Sequence, residues 1–323
     1  MTLTRQSSFH VRDDGNQPKG SGSLYLVATP IGNLEDMTFR AVRTLKECDI
    51  IAAEDTRQTR KLLTHYEISG KLVSYHEHNK EGSGKELIRL MEEGQSVALV
   101  SDAGMPAISD PGADLAREAI DAGIPVVPVP GANAAISALV ISGLPTERFI
   151  FVGFLPRVKK KLKDELTALQ STQATMLFYE SPHRVQKTVA AMSEVWGERK
   201  AALIRELTKR HEEAVRGTLG ELAAYLKEHP PLGEYVVVVN GREPANTLRK
   251  GLGAAGLENG DGSIEADLTT SYMNDEELWW QELTIQEHVD RYLTRGDERK
   301  AALKKAAADR GVSKRDIYNA LLD

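Results

Sequence analysis

A single cysteine, Cys48, in 323 residues excludes a disulfide framework and any thiolate metal cluster. No apolar run approaches the roughly 20 residues of a membrane-spanning helix. Residues 1–22 are polar and lack the apolar core of a secretory signal, so they read as a tail on a cytoplasmic protein. Glycine motifs for pyrophosphate are also missing. The loop after the first apolar run, Thr29-Pro-Ile-Gly-Asn-Leu34, has one glycine, Gly32, where a dinucleotide or Walker loop needs several. Positive charge is in deficit, with 41 Lys and Arg against 47 Asp and Glu and a net charge of −6. A nucleic-acid partner would therefore require cations gathered locally. His76 and His78 have no third ligand at suitable spacing, and a metal site is not expected.

What is present is alternation. From residue 23, apolar runs such as 24–29, 49–53, 72–75, 96–100 and 125–129 alternate with helical periods, which argues a mostly parallel α/β sheet over 23–144. Residues 145–242 repeat the alternation. Direct succession of extended runs near 205 and 215 there indicates antiparallel pairing and a mixed second sheet. Residues 243–275 are rich in Gly, Asn and Asp and read as a linker. Residues 276–323 read as a helical module. Its Ala307, Gly311 and Ile317 stand at the offsets of a helix-turn-helix, with Ser313 as a cap and Lys304, Lys305, Arg310, Lys314 and Arg315 as a basic cluster. A second cluster comprises Arg157, Lys159, Lys160, Lys161 and Lys163.

The richest segment is Leu99-Val-Ser-Asp-Ala-Gly-Met-Pro-Ala-Ile-Ser-Asp-Pro-Gly112. Its turn chemistry exceeds what a strand-to-helix connection needs. Asp110-Pro111-Gly112 can cap the following helix, but that leaves 101–108 unexplained, and a ligand loop at a strand's carboxyl end accounts for it. Other strand ends carry Glu54-Asp-Thr-Arg57, Pro128-Val-Pro-Gly-Ala-Asn-Ala-Ala135, Phe178-Tyr-Glu-Ser-Pro-His-Arg184 and Glu206-Leu-Thr-Lys209. Asp55 reads as a helix cap, with Arg57 free to reach a ligand. The small residues after Pro130 suit either close ligand approach or tight helix packing.

Together these motifs resemble the tetrapyrrole-methylase-like superfamily, and within it the branch that methylates a cytidine ribose 2′-hydroxyl of 16S ribosomal RNA. The resemblance runs from Leu24 to about Gly241 and resumes in the C-terminal helices. It implies two α/β domains with S-adenosylmethionine (S-adenosyl-L-methionine) between them, a small C-terminal RNA-contacting module, and a homodimer. Carried over by position, Pro30, Asp102, Ala103, Gly104, Ile108, Ser109, Ala132, Phe178, Tyr179 and Leu207 would hold the cofactor. Glu180, Glu206 and Lys209 are the candidates for handling the hydroxyl proton. Met105, where the family pattern often has Thr, and the long 243–275 linker depart from the pattern. A tetrapyrrole methyltransferase of the same fold, or a nucleic-acid-binding regulator with a ligand-sensing cleft, are the rival expectations.

Overall fold

Short apolar strands alternate with amphipathic helices because each parallel crossover requires a helix to cover the sheet. The computed structural model describes Gln6 and residues 22–243, 283–294, 297–310 and 312–321. Most of the expected tail and linker, the start of the C-terminal module, and Gly311 lie outside the described residues. The chain divides into two compact units, Met1–Ala254 and Ala255–Asp323.

The first unit contains two sheets. Leu24–Val27 (β1), Ile50–Ala53 (β2), Lys71–Ser74 (β3), Val97–Val100 (β4) and Val126–Val129 (β5) form one in the order β3-β2-β4-β1-β5. All its pairings are parallel. Every residue of β2 and β4 is buried, as a sheet covered on both faces demands. The intervening helices are Phe39–Glu47 (α1), Thr56–His65 (α2), Lys80–Glu92 (α3), Gly112–Asp121 (α4) and Ala134–Ser142 (α5).

Two boundaries differ from the sequence reading. α3 begins at Lys80 rather than Lys85 and carries Gly82 and Gly84 inside its first turns. A Cβ on Gly84 would lie 3.2 Å from Glu118 Oε2 and 3.6 Å from the Tyr75 ring, so close packing overrides the low helix propensity of glycine. The strand read over 72–75 runs over Lys71–Ser74, and residues 77–79, just before α3, form a turn.

Phe149–Phe154 (β6), Thr175–Glu180 (β7), Lys200–Arg205 (β8), Glu213–Thr218 (β9) and Tyr235–Val239 (β10) form the second sheet, in the order β6-β7-β10-β8-β9. β6 and β7 are parallel; the other pairs are antiparallel, including β8 with β9. The sheet is mixed, as the sequence indicates. Lys159–Ala168 (α6), Val185–Trp196 (α7) and Leu219–Glu228 (α8) accompany it. α5 does not simply close the first half. Its Ala135, Ala138 and Leu139 are buried with Leu177, Ala202, Ile204, Val236 and Val238 of the second sheet. An almost wholly apolar helix needs such cover on more than one side.

In the second unit, Ile285–Thr294 (α9), Arg299–Arg310 (α10) and Lys314–Asn319 (α11) pack around Val289, Ala302, Leu303, Ala306, Ala307 and Ile317. Ser313 caps α11, accepting from Asp316 N in a reciprocal capping box. Part of the expected basic cluster is engaged internally. Arg310 donates from Nε to Nδ1 of the fully buried His288 (3.0 Å), whose Nε2 meets Asp309 (3.0 Å). Lys305 pairs with Asp297 at 2.7 Å. Arg299, Lys300, Lys304 and Lys314 are exposed; the Arg315 side chain lies outside the described residues.

Phe178 is wholly buried, packed on Trp196 with ring centroids 5.9 Å apart. Phe178→Ala is expected to lower stability by about 3–5 kcal/mol, read as a lower urea midpoint at unchanged m-value.

Candidate functional site

Carboxyl ends of strands from both sheets of the first unit, with the amino end of β10, converge on a cavity of about 470 Å³. The first sheet contributes Ile31, Glu54 and the loop 101–110; the second contributes Phe154, Tyr179, Ile204, Leu207 and the amino end of β10.

The long loop is held in place by its own polar groups. Thr29 and Gly104 exchange backbone hydrogen bonds (2.9 and 3.0 Å), tying it back to the β1 exit. Gly104 adopts φ +78 there, and a Cβ would press on Ile31 at 3.3 Å, so glycine is needed. Asp110 Oδ1 accepts from Ala107 N (2.9 Å) and Gly112 N (2.7 Å). Capping by Asp110 is therefore real and also folds the loop. Ala107 and Ser109 are left-handed, at φ 70 and 63, as are Glu206 and Thr208 across the cavity, at φ 51 and 65. Such strain, concentrated at one place, marks a site whose geometry the surroundings impose.

The lining is strongly acidic. Glu54, Asp102, Asp110, Glu206 and Glu234 border the cavity, against Lys209 as its lone described cation. Burial first, then repulsion from Asp102 and Asp110, raises the Glu54 carboxyl above its ordinary 4.5. Burial likewise raises Asp110, against the pull of its backbone donors. A cationic or neutral ligand with apolar parts suits this space; a phosphate does not.

Lys209 Nζ lies 2.9 Å from both Glu206 Oε1 and Glu234 Oε2. Burial alone would ease its proton away, but the Glu234 and Glu206 carboxylates outweigh that and hold the ammonium above its usual range. Burial works against charge on Glu206 as well, yet Glu234 N and Lys209 keep it ionised. Gly233, at φ +74, makes room: a Cβ there would sit 2.5 Å from the Glu206 side chain.

Of the sequence-predicted residues, Asp102, Ala103, Gly104, Ile108, Ser109, Tyr179 and Leu207 border the cavity, as do Glu180, Glu206 and Lys209. Pro30 and Ala132 flank it through their neighbours, with a Cβ on Gly104 3.5 Å from the Ala132 carbonyl. Phe178 does not face it. Side chains alternate along a strand, so while Tyr179 turns to the cavity, Phe178 turns into the core. The Glu180 carboxylate follows Phe178: it accepts from Thr188 Oγ1 (2.8 Å) and Ser181 N (2.9 Å) and lies 3.5 Å from Arg184. It is 1% exposed, so it is occupied as a brace. Arg57 is bound to Asp55 (3.1 Å), the cap of α2, and points to solvent. Phe154, Ile204, Glu234, Tyr235 and Val236 also border the cavity, and no sequence motif marks them. β10 is antiparallel to β7 and β8, so its amino end joins their carboxyl ends; a rule that looks only at carboxyl ends passes over it.

Glu54→Gln is expected to raise Tm at neutral pH. A raised folded-state pKa means the folded protein holds the proton more tightly, so stability falls as pH rises from the unfolded value to the folded one. The gain from Glu54→Gln should shrink to nothing below about pH 4, as thermal melts across pH would show.

The family model described as "Tetrapyrrole (Corrin/Porphyrin) Methylases" matches residues 23–223. Proteins named ribosomal RNA small subunit methyltransferase I are 52% identical over 317 residues in Halalkalibacterium halodurans and 48% identical over 318 residues in Bacillus subtilis. Each alignment covers 98% of both chains. In fold, the chain is similar to the cobalt precorrin-4 methyltransferase CbiF (TM-score 0.52, 16% identity, 68% of this chain and 94% of that one). Diphthine synthase is similar too (TM-score 0.53, 15% identity, 71% and 94%). Sequence over nearly the full length and fold over the two sheets agree: the chain belongs to the tetrapyrrole (corrin/porphyrin) methylase family, grouping with the ribosomal RNA small subunit methyltransferases I.

Proposed function

We propose that this protein methylates a cytidine ribose 2′-hydroxyl of 16S ribosomal RNA in the small ribosomal subunit, with S-adenosylmethionine as donor. The observation that carries the reading is the acidic, partly apolar cavity, taken with relatives named for small-subunit RNA methylation. The carboxylates suit a sulfonium and an ammonium. Ile31, Ile108, Leu207 and Tyr179 offer an apolar wall for an adenosine, and the missing phosphate loop is then expected. Asp102, Ala103, Gly104, Ser109 and the flanking Pro30 and Ala132 would complete the wall. When bound, S-adenosylmethionine supplies an electrophilic methyl on a good leaving group.

The chain's task is to align the nucleophile and manage its proton. A 2′-hydroxyl is a poor acid. Lys209, kept cationic between Glu206 and Glu234, is suited to stabilise the developing alkoxide rather than to act as a base. Glu206, kept ionised, is the acceptor for the proton. Glu180, held by Thr188, Ser181 and Arg184, fixes the β7 exit that presents Tyr179. The exposed Arg299, Lys300, Lys304 and Lys314 of the second unit support RNA contact. In the homodimer implied by the family, exposed apolar residues one turn apart on α5, Ile136 and Val140 (44% and 66%), are suited to the interface. A site in the cytoplasm follows from the substrate.

The test is transfer of labelled methyl from S-adenosylmethionine to small subunits lacking their native modifications, followed by nuclease digestion. Label on a cytidine 2′-oxygen is expected. Cofactor binding without RNA label would instead favour a tetrapyrrole substrate or a regulatory role. Lys209→Ala should leave cofactor affinity intact and slow transfer by about tenfold or more; near-normal turnover would remove Lys209 from the mechanism. Replacing Lys300, Lys304 and Lys314 with Glu should weaken subunit binding, measured by filter retention, at unchanged cofactor affinity.

A further inference from the structure

Phe154 ends β6, lines the cavity and is 60% exposed. Its direction is set by a β-bulge. Phe151 pairs with Leu177 and Gly153 with Phe178, so Val152 is the extra residue, and Gly153 takes φ +76. Bulges re-aim side chains beside functional sites. Without this one, strand alternation would send Phe154 to the face opposite Phe151. With it, both meet Tyr179 edge-on, at centroid distances of 4.9 and 5.6 Å. Gly153 is also where the first sheet's loop comes close, a Cβ there lying 3.3 Å from Ser109 Oγ. Arg184 clamps the strand's exit, donating from Nη2 to the carbonyls of Leu155 (3.0 Å) and Pro156 (3.2 Å).

Immediately after this clamp come Arg157, Lys159, Lys160, Lys161 and Lys163, all exposed. None forms an ion pair with a described residue. Asp164 and Glu165 are the exposed acids on the same helix. Three of the lysines occupy the first turn of α6, where the helix dipole disfavours cations and no acid offsets them. On a chain of net charge −6, an unpaired basic tract beside an acidic cavity separates two tasks. Phosphates are attracted to the rim and repelled from the interior.

We propose that Phe154 is the stacking platform for the base of the target nucleotide, and that the 157–163 tract carries the neighbouring phosphates of a single-stranded RNA segment. The base rests on an exposed aromatic face, the common mode for unpaired RNA. Only the uncharged nucleoside then enters the acidic cavity. This inference rests on the RNA methyltransferase reading and adds the residues that orient the substrate.

Methyl transfer to unmodified small subunits, S-adenosylmethionine affinity by calorimetry, and subunit binding across salt concentrations together test it. Phe154→Ala should lower kcat/KM by ~10- to 100-fold, the worth of one stacked base, at unchanged cofactor affinity. Phe154→Tyr should restore it to within about twofold, since a second aromatic face stacks equally. Replacing Lys159, Lys160 and Lys161 with Ala should leave kcat unchanged. It should weaken subunit binding and flatten the slope of log affinity against log salt by ~2, about 0.7 for each phosphate no longer neutralised. Transfer by Phe154→Ala at the wild-type rate would overturn the platform. Loss of cofactor affinity in that variant would assign Phe154 to the cofactor instead, and an unchanged salt slope would overturn the phosphate track. Absence of RNA methylation by the wild type would overturn the underlying function as well.

Discussion

The cavity depends on one close approach, between the loop that leaves β1 and the loop that leaves β8. Asn33 N donates to Thr208 Oγ1 at 3.1 Å. Gly32 leaves space that a Cβ would contest with Lys209 Cγ at 2.3 Å and Leu207 O at 3.1 Å. Glu206 and Thr208 accept left-handed backbone to make the turn. Because the second sheet also covers α5, the two halves of the first unit share a core beneath the cavity and a polar contact at its edge. The position of Lys209 between Glu206 and Glu234 follows from that turn. Loosening it would disperse the cation and its carboxylates even with every ligand-facing side chain still in place.

Much of this arrangement is legible in the chain. Apolar alternation fixes a parallel sheet because parallel strands buried on both faces read as unbroken apolar runs, as β2 and β4 do. The succession of 200–206 and 213–217 gives the antiparallel pair. Turn chemistry in 99–112 locates a loop that borders the cavity, since two Asp, two Gly and two Pro in so short a stretch serve no simple connection.

The parts that are not legible share a cause: they depend on which way each side chain turns and on the partner it finds in the folded chain. Phe178 and Tyr179 are adjacent and both aromatic, and only the face each presents separates a core residue from a lining one. Glu180 is a carboxylate at a strand end, but Arg184, the residue before α7, and Thr188 on that helix fix its role. Lys305 and Arg310 look like members of a basic patch until Asp297 and His288 are found beside them. The tract at 157–163 looks identical in composition, yet its cations have no such partners. Charge in sequence is an upper bound on charge available to a ligand, and the structure supplies the subtraction.

That subtraction decides how an acidic protein can act on a polyanion. If catalysis required phosphates inside the cavity, Glu54, Asp102 and Asp110 would oppose binding at short range. If the whole surface attracted RNA, the net charge would have to be positive. The chain does neither. In the proposed reading, the acids that border the cavity meet a cationic donor and an uncharged nucleoside, and the exposed 157–163 tract that follows Phe154 in the chain takes the phosphates. On that reading, selectivity for a nucleotide that can leave its stack would follow, because a duplex could place phosphates on the tract but could not send a ribose past the rim. Added salt should therefore weaken capture of the RNA more than it slows the chemical step, since the rim contacts are exposed to ions while the Lys209–Glu206 contact is partly covered.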